Sequence, residues 1–330
     1  FCLIFVLAIA AFLVFAITGG TGRYSQINIF SSFETDFFQK QQIQEDAVAG
    51  SNNIVSRLFH NKATNIFLIF VSNYFDYFGF NFLFTTGGLP IWYNVPRMGL
   101  LYIVELPFIL IGIYNVLRRK NLYFKIPLVW LLVAPIVPAI TMDDIPNINR
   151  AIVMFPMLEI IAGIGFLSFI GNIKLKKPAI VLVTLLLIFN SLYFLHQYFY
   201  NAKTHKPWYR NNGFSEMMNE VKKKYDKYDL VAMSKYQGGI YPLVLFYMQY
   251  DPNKYQEEGS PKNKDYGGFG KFFFVPQDCP SLQSRNRVPD PSRTLYVDKG
   301  DCPLDKSIPT KRSEYIYRED GTKAFRIVYD

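Results

Sequence analysis

The chain has 330 residues, 50% of them hydrophobic and 17% aromatic, with 31 Phe and 23 Tyr and a formal net charge of +9. Such an aromatic load is high for a soluble enzyme and suits a bilayer protein with rings at its interfaces. The basic residues fall in short runs beside apolar segments, which points to membrane orientation, and no motif that reads nucleic acid accompanies them.

The chain opens on FCLIFVLAIAAFLVFAIT, without an initiator Met or a charged leader. A signal peptide carries a basic n-region and a small-residue cleavage site. The start therefore reads as a truncation, and the chain as the C-terminal part of a longer protein. A spanning helix needs about 20 mainly apolar residues, and residues 1–18, 100–117, 126–141, 151–170 and 179–200 approach this. Residues 63–86 are also apolar but hold Asn65, Asn73, Asp76 and Asn81. A charge at the bilayer centre costs at least about 2.5–3.5 kcal/mol, so this stretch reads as interfacial helices lying against the outer surface.

RRKNLYFK carries Arg118, Arg119, Lys120 and Lys125, and GNIKLKKP carries Lys174, Lys176 and Lys177. Short basic loops stay in the cytoplasm. TMDDIPNINR, residues 141–150, then falls on the opposite face together with the C-terminus. After Tyr200 the composition turns polar. GFSEMMNEVKKKY reads as an amphipathic helix, YDLVAMS, GKFFFVP and RTLYVD as strands, and YPLVLFYMQY as a helix or a buried strand. Asp320-Gly321 between alternating apolar residues signals a hairpin.

The expected fold class is an α-helical polytopic membrane protein of about five transmembrane helices, followed by a small extracytoplasmic α/β domain. Residues 1–18 form the first span and 19–99 an extracytoplasmic loop with interfacial helices. Residues 100–200 hold four transmembrane helices, and 201–330 the α/β domain. Cys2 sits in an apolar run, whereas Cys279 and Cys302 can pair if the polar region lies outside the cytoplasm.

The polar residues between apolar segments are the candidates for chemistry. Asn149 or Asn147 can cap the helix starting near Ala151, and Asp143 and Asp144 suit its positive end. Arg150 either snorkels to lipid headgroups or holds an anionic group such as a lipid phosphate, because its donor fork matches phosphate oxygens. In the second reading Asp144 orients that arginine or binds a polar acceptor. SRLFHNK offers Arg57, His60, Asn61 and Lys62, which suit nonspecific headgroup contact or closure over a phosphate-linked sugar. Glu105 and Glu159 lie within apolar segments and read as helix-packing groups. His60, His196 and His205 lack metal-ligand spacing, and no metal site is expected in this chain.

SRLFHNK, NYFDYFGFNFLFTTGG, GLLYIVELPFILIGIYNVL and DDIPNINRAIVMFPMLEIIAGIGF follow one another over about residues 50–170. In that order they resemble the later part of bacterial GT-C membrane glycosyltransferases, the protein O-mannosyltransferase and aminoarabinose transferase group (glycosyltransferase family 39-like). WYRNNGFSEMM and FYMQYDPNKYQ resemble the outer domain of such proteins. The resemblance implies inverting transfer of a sugar from a polyprenyl-phosphate carrier to a glycan, lipid or protein acceptor on the outer face. It places the catalytic acids in a first outer loop upstream of Phe1, sometimes with a divalent metal, so this fragment by itself is expected to be inactive. Basic residues hold the leaving phosphate, which puts Arg150 first and Arg57 and Lys62 next, with Asp144, Asn149 and His60 beside them. Ala151 stands where relatives carry an aromatic residue. The competing reading is a non-enzymatic membrane-anchored envelope protein whose outer α/β domain binds a partner. A transporter fits less well, since no internal repeat is evident.

Overall fold

The computed structural model describes residues 27–30, 33–235, 240–258, 267–283, 293–303 and 312–329. It divides into two compact units, Phe1–Tyr198 and Phe199–Asp330. Residues 1–18, the first expected span, lie outside the described residues.

Among the described residues four helical stretches are long and apolar enough to cross a membrane: Asn53–Thr85, Leu122–Ala139, Ile148–Asn172 and Lys176–Thr204. Their length and composition suggest association with a membrane. The set differs from the expected one in two places. Asn53–Thr85 comprises α2 (Asn53–Phe59), α3 (Lys62–Asp76) and a π-helical turn (Asn81–Thr85), and it follows α1 (Phe33–Val48). Asn52 and Asn61 cap α2 and α3 by accepting from the Ile54 and Thr64 amides. Of the four polar residues that argue for an interfacial position, Asn73 bonds to a neighbouring segment, whereas Asn65 Nδ2 is buried without a partner among the described residues. Asn73 Nδ2 donates to the carbonyls of Ala139 (3.2 Å) and Thr141 (2.9 Å), and the Tyr74 hydroxyl donates to Leu132 O (2.8 Å). Side chains thus satisfy carbonyls of the neighbouring helical stretch, as polar groups in apolar bundles do.

The second difference is the expected span 100–117. It begins with a 3-10 turn, Ile103–Glu105, and continues as α4 (Leu106–Arg118), only 13 residues. At 1.5 Å per residue α4 is about 20 Å long, shorter than the hydrocarbon layer. Glu105 starts it: its carboxylate accepts from the Tyr102 amide at 3.0 Å. α5 (Ile126–Val133) and α6 (Phe155–Asn172) follow, and α4 packs against α6 with the two backbones in contact. A Cβ on Gly112 would overlap the Ile161 carbonyl oxygen, and one on Gly165 the Phe108 carbonyl oxygen. Around this crossing Phe108, Ile109, Leu158 and Ile161 form a core with Tyr77, Phe82, Phe84 and Met154. No residue of α7 (Lys176–His196) is fully buried; Val183 packs against this core and Leu187 is half-buried, while Leu182, Leu185, Leu186, Ile188 and Leu192 are exposed.

In the second unit α8 (Phe214–Lys224) places Phe214, Met217, Met218 and Val221 at the i, i+3, i+4, i+7 spacing of one helical face, and all four are buried. Lys222, Lys223 and Lys224 end the helix, where cations complement its dipole. The face packs into a core with Val231 and Met233 of β1 (Leu230–Ser234), Leu295 and Val297 of β4 (Thr294–Lys299), and Ile327 of β6 (Lys323–Tyr329). With β2 (Gly268–Phe269), β3 (Phe272–Val275) and β5 (Arg312–Tyr317) these strands form a sheet of order β2-β3-β1-β4-β6-β5. β3, β1 and β4 are parallel, and β2, β6 and β5 join antiparallel. YPLVLFYMQY forms a helix, α9 (Ile240–Met248). The β5–β6 hairpin turns through Asp320-Gly321, with Gly321 at φ 79° and the Arg318 amide bonded to Thr322 O. Gly carries that left-handed backbone without a Cβ penalty.

Cys279 and Cys302 form a disulfide beside a buried ion pair. Arg326 Nε and Nη2 donate to Asp298 Oδ2 at 3.1 and 2.6 Å, Nη1 donates to the carbonyls of Cys302 and Pro303, and Nη2 also reaches Ser281 Oγ. Every donor of the guanidinium has an acceptor.

Candidate functional site

The segment 140–150 is built as a turn between two apolar helical stretches. Its first half is held by a short antiparallel pairing: the Ile29 amide donates to Ile140 O (2.9 Å) and the Met142 amide to Ile27 O (2.7 Å). Its second half is held by Leu89, whose amide donates to Pro146 O (2.7 Å) and whose carbonyl accepts from the Ile148 amide (3.1 Å). Between those bonds Asn147 is buried. Its amide donates to the Tyr77 hydroxyl (3.1 Å), and its side-chain oxygen caps the next helical turn by accepting from the Arg150 amide (3.1 Å). The two alternatives for the cap are thereby separated: Asn147 caps, and Asn149 is exposed on the turn. Asn147 has the extended backbone (φ −94°, ψ 121°) that an N-cap requires.

Arg150 is held at one end of its guanidinium. Nη1 donates to Thr141 Oγ1 (2.7 Å) and to the Asp143 carbonyl (2.6 Å), while Nη2 lies 3.5 Å from Asp143 Oδ2. The side chain is 25% exposed. The acid in contact with the arginine is Asp143; Asp144, expected in that role, occupies the left-handed position of the turn at φ 52°. Thr141 in turn donates to Pro138 O (2.7 Å). Two anchored Nη1 bonds leave Nε, together with Nη2 beside its ion pair with Asp143, as the side of the fork that can meet an oxyanion.

Arg150 and Thr141 close one end of a groove of about 990 Å³. Val129, Trp130, Val133 and Val137 of the Leu122–Ala139 stretch line its length, with Ile27 and Val153 beside them, and Lys125 stands at the other end. Trp130 Nε1 donates to Val153 O (3.0 Å), which ties the groove's two walls together. The apolar lining and terminal cations match a long hydrocarbon chain with an anionic head better than any sugar alone. Thr141, Trp130 and Lys125 are absent from the sequence-based site, in which Asn147 and Asp143 stand only as structural groups of the turn. Thr141 lies nine residues from Arg150, and no local pattern marks it.

The second predicted cluster lies on α2 and α3 and takes its partners from nearby helices. Arg57 Nε donates to Asn53 Oδ1 (3.1 Å). His60 lies 3.2 Å from Asp46 and Lys62 3.4 Å from Asp36, both acids on α1. Lys62 and Asp36 are each about half exposed, and such surface pairs contribute about 0–1 kcal/mol. Arg57, His60 and Lys62 therefore meet groups of α1 and α2 and not of the Arg150 turn. Among the described residues no cluster of His, Cys, Asp or Glu has the arrangement of a metal site. Searches against family models, curated proteins and solved structures found no match for this chain.

Proposed function

We propose that this chain forms the carrier-lipid site of a membrane glycosyltransferase of the GT-C type, with Arg150 holding the phosphate of a polyprenyl-linked sugar on the extracytoplasmic face. The observation that carries the reading is the apolar groove that ends at an anchored arginine. The groove follows the 18 residues of Leu122–Ala139, about 27 Å of helix. One bilayer leaflet offers about half of a 30 Å hydrocarbon layer, so the groove suits a chain that continues past one leaflet. A polyprenyl tail is such a chain, and a diacyl lipid is not.

The membrane setting rests on solvation. α7 buries none of its residues, and its exposed apolar surface is unfavourable in water by about 25 cal/mol for each Å². Hydrocarbon removes that penalty. With the basic loops at Arg118–Lys120 and Lys174–Lys177 in the cytoplasm, the Arg150 turn and the Leu89 segment bonded to it face the opposite compartment, and the short helical run Ile103–Arg118 makes the crossing between them. When a glycosyl carrier reacts, its phosphate gains negative charge, and a fixed guanidinium stabilises that charge without reorganising. Thr141 and the Asp143 carbonyl keep Arg150 in place. No residue of this chain is assigned the role of catalytic base.

The test is equilibrium binding of decaprenyl phosphate and of decaprenol to the full chain in lipid nanodiscs. Arg150→Ala is expected to weaken the phosphate about tenfold or more, as loss of a charged hydrogen-bonded contact does, and to leave decaprenol unchanged. Arg150→Lys keeps the charge without the fork and is expected to fall between. Equal affinity of wild type and Arg150→Ala for decaprenyl phosphate refutes the assignment.

A further inference from the structure

We propose that Trp92 and Tyr93 form a stacking platform for the sugar ring of the lipid-linked donor, an inference that rests on the reading of Arg150 as the phosphate contact. Both rings are half exposed, Trp92 at 48% and Tyr93 at 54%, although Tyr77, Phe82 and Phe84 nearby in the chain are buried. Their centroids are 6.0 Å apart and their planes meet at 63°. That makes a corner of two apolar faces with polar tips. A pyranose or furanose ring has the complementary character, with C–H groups on its faces and hydroxyls around its edge, and large amphipathic rings suit it.

The aromatic turn and the arginine turn belong to one hydrogen-bonded assembly. The bonds from Leu89 N to Pro146 O and from Ile148 N to Leu89 O lie on either side of Asn147, whose side chain caps the turn carrying Arg150. Trp92 is three residues beyond Leu89, and Arg150 three beyond Asn147. Three residues reach at most about 10 Å, the paired backbones at Leu89 and Asn147 lie about 5 Å apart and one helical turn rises about 5 Å, so the Cα atoms of Trp92 and Arg150 are at most about 20 Å apart. A glycosyl phosphate held between two long side chains bridges a separation of that order.

The platform is also held before anything binds. Ile91–Tyr93 is a 3-10 turn opened by Pro90, with the Tyr93 amide bonded to Pro90 O (3.1 Å) and the Asn94 amide to Ile91 O (3.0 Å). Asn94 Nδ2 donates to the carbonyls of Thr86 and Gly88, which ties the end of the turn back to the chain before it. Aromatic side chains on a fixed backbone lose little entropy when a ligand stacks on them. Interfacial anchoring in lipid headgroups is the other use of exposed Trp and Tyr, and it differs in one respect that can be measured: it is blind to the sugar.

The experiment compares bare decaprenyl phosphate with decaprenyl phosphate carrying mannose or arabinose, bound to the full chain in nanodiscs. Wild type is expected to bind at least one glycosylated carrier about tenfold more tightly than the bare one, on the scale of a buried aromatic contact. Trp92→Ala and Tyr93→Ala are expected to erase that difference and leave the bare carrier within about twofold of wild type. Trp92→Phe keeps a ring and should retain part of the preference. Arg150→Ala should weaken all carriers in parallel. The platform is overturned if wild type binds bare and glycosylated carriers equally, if the alanine variants keep the preference, or if they weaken the bare carrier as much. Wild type that binds no carrier overturns the phosphate assignment of Arg150 as well, so the two failures are told apart.

Discussion

Arg326→Ala should unfold the second unit locally, and the size of the effect follows from its surroundings. Asp298 is fully buried and the Arg326 side chain is 2% exposed. The substitution removes all five N–H donors and, among the described residues, leaves the Asp298 carboxylate the Ser281 amide and hydroxyl as partners. Breaking a buried pair by deleting one partner costs about 3–5 kcal/mol, because an uncompensated charge stays behind. A domain is stable by about 5–15 kcal/mol, so a large part of the margin disappears. The disulfide is common to wild type and variant, so it raises the starting margin and leaves the loss itself unchanged. Its partners are 23 residues apart, and closing a loop of that size restricts the unfolded chain by about 3 kcal/mol. Amide hydrogen exchange of the full chain in micelles, followed in peptides covering β4 and β6, reads the opening free energy directly. At 1.4 kcal/mol for each factor of ten, exchange should accelerate by about two to three and a half powers of ten. Arg326→Met combined with Asp298→Leu removes both charges and should lose much less than the two single changes added together. Acceleration below about fivefold in Arg326→Ala, or strict additivity in the double variant, would show that the pair is not the dry, fully satisfied contact described above.

Gly165→Leu should lower the thermal midpoint of the full chain, because its Cβ overlaps the Phe108 carbonyl oxygen and overpacking costs about 1–3 kcal/mol. Gly163→Leu on the same helix meets no atom within 4 Å of its Cβ and is the control; equal midpoints for the two variants would refute the close crossing of α4 and α6. Lys224 donates to Glu314 (2.8 Å) and Glu220 (3.2 Å). Hydrogen bonds from Lys223 and Lys224 hold the Glu220 carboxyl below its usual range, and those from Lys224 and Tyr329 do so for Glu314. A depressed carboxylate stabilises the fold above its unfolded value near about 4.5 and loses that contribution as pH falls through the folded value. The stability gap between wild type and Lys224→Met, measured by hydrogen exchange in β5, should therefore be widest near neutral pH and shrink as pH falls below the ordinary glutamate range. A gap that stays constant over that range would refute the linkage.

The parts legible in the sequence are those encoded by local period. Four apolar runs form helices, the Phe214–Val221 stripe forms the buried face of α8, and Asp320-Gly321 between alternating residues forms the β5–β6 turn. Arg150 stands out because a charge beside apolar runs needs a reason to be there. What local pattern does not carry is which distant backbone groups meet. Asn73 looks like a mark against a buried helix until the carbonyls of Ala139 and Thr141, 66 and 68 residues away, accept from it. Two asparagines are equal candidates for one cap, and Asn147 takes it because Leu89 fixes the backbone on either side of it. Asp143 and Asp144 are adjacent and chemically alike, and the left-handed bend at Asp144 decides which of them meets Arg150. The strand order, the Asp298–Arg326 pair across 28 residues and the groove beside Trp130 likewise depend on tertiary placement. The physical reason is the same throughout: a hydrogen bond or a void belongs to a pair of surfaces, and a linear pattern describes only one of them.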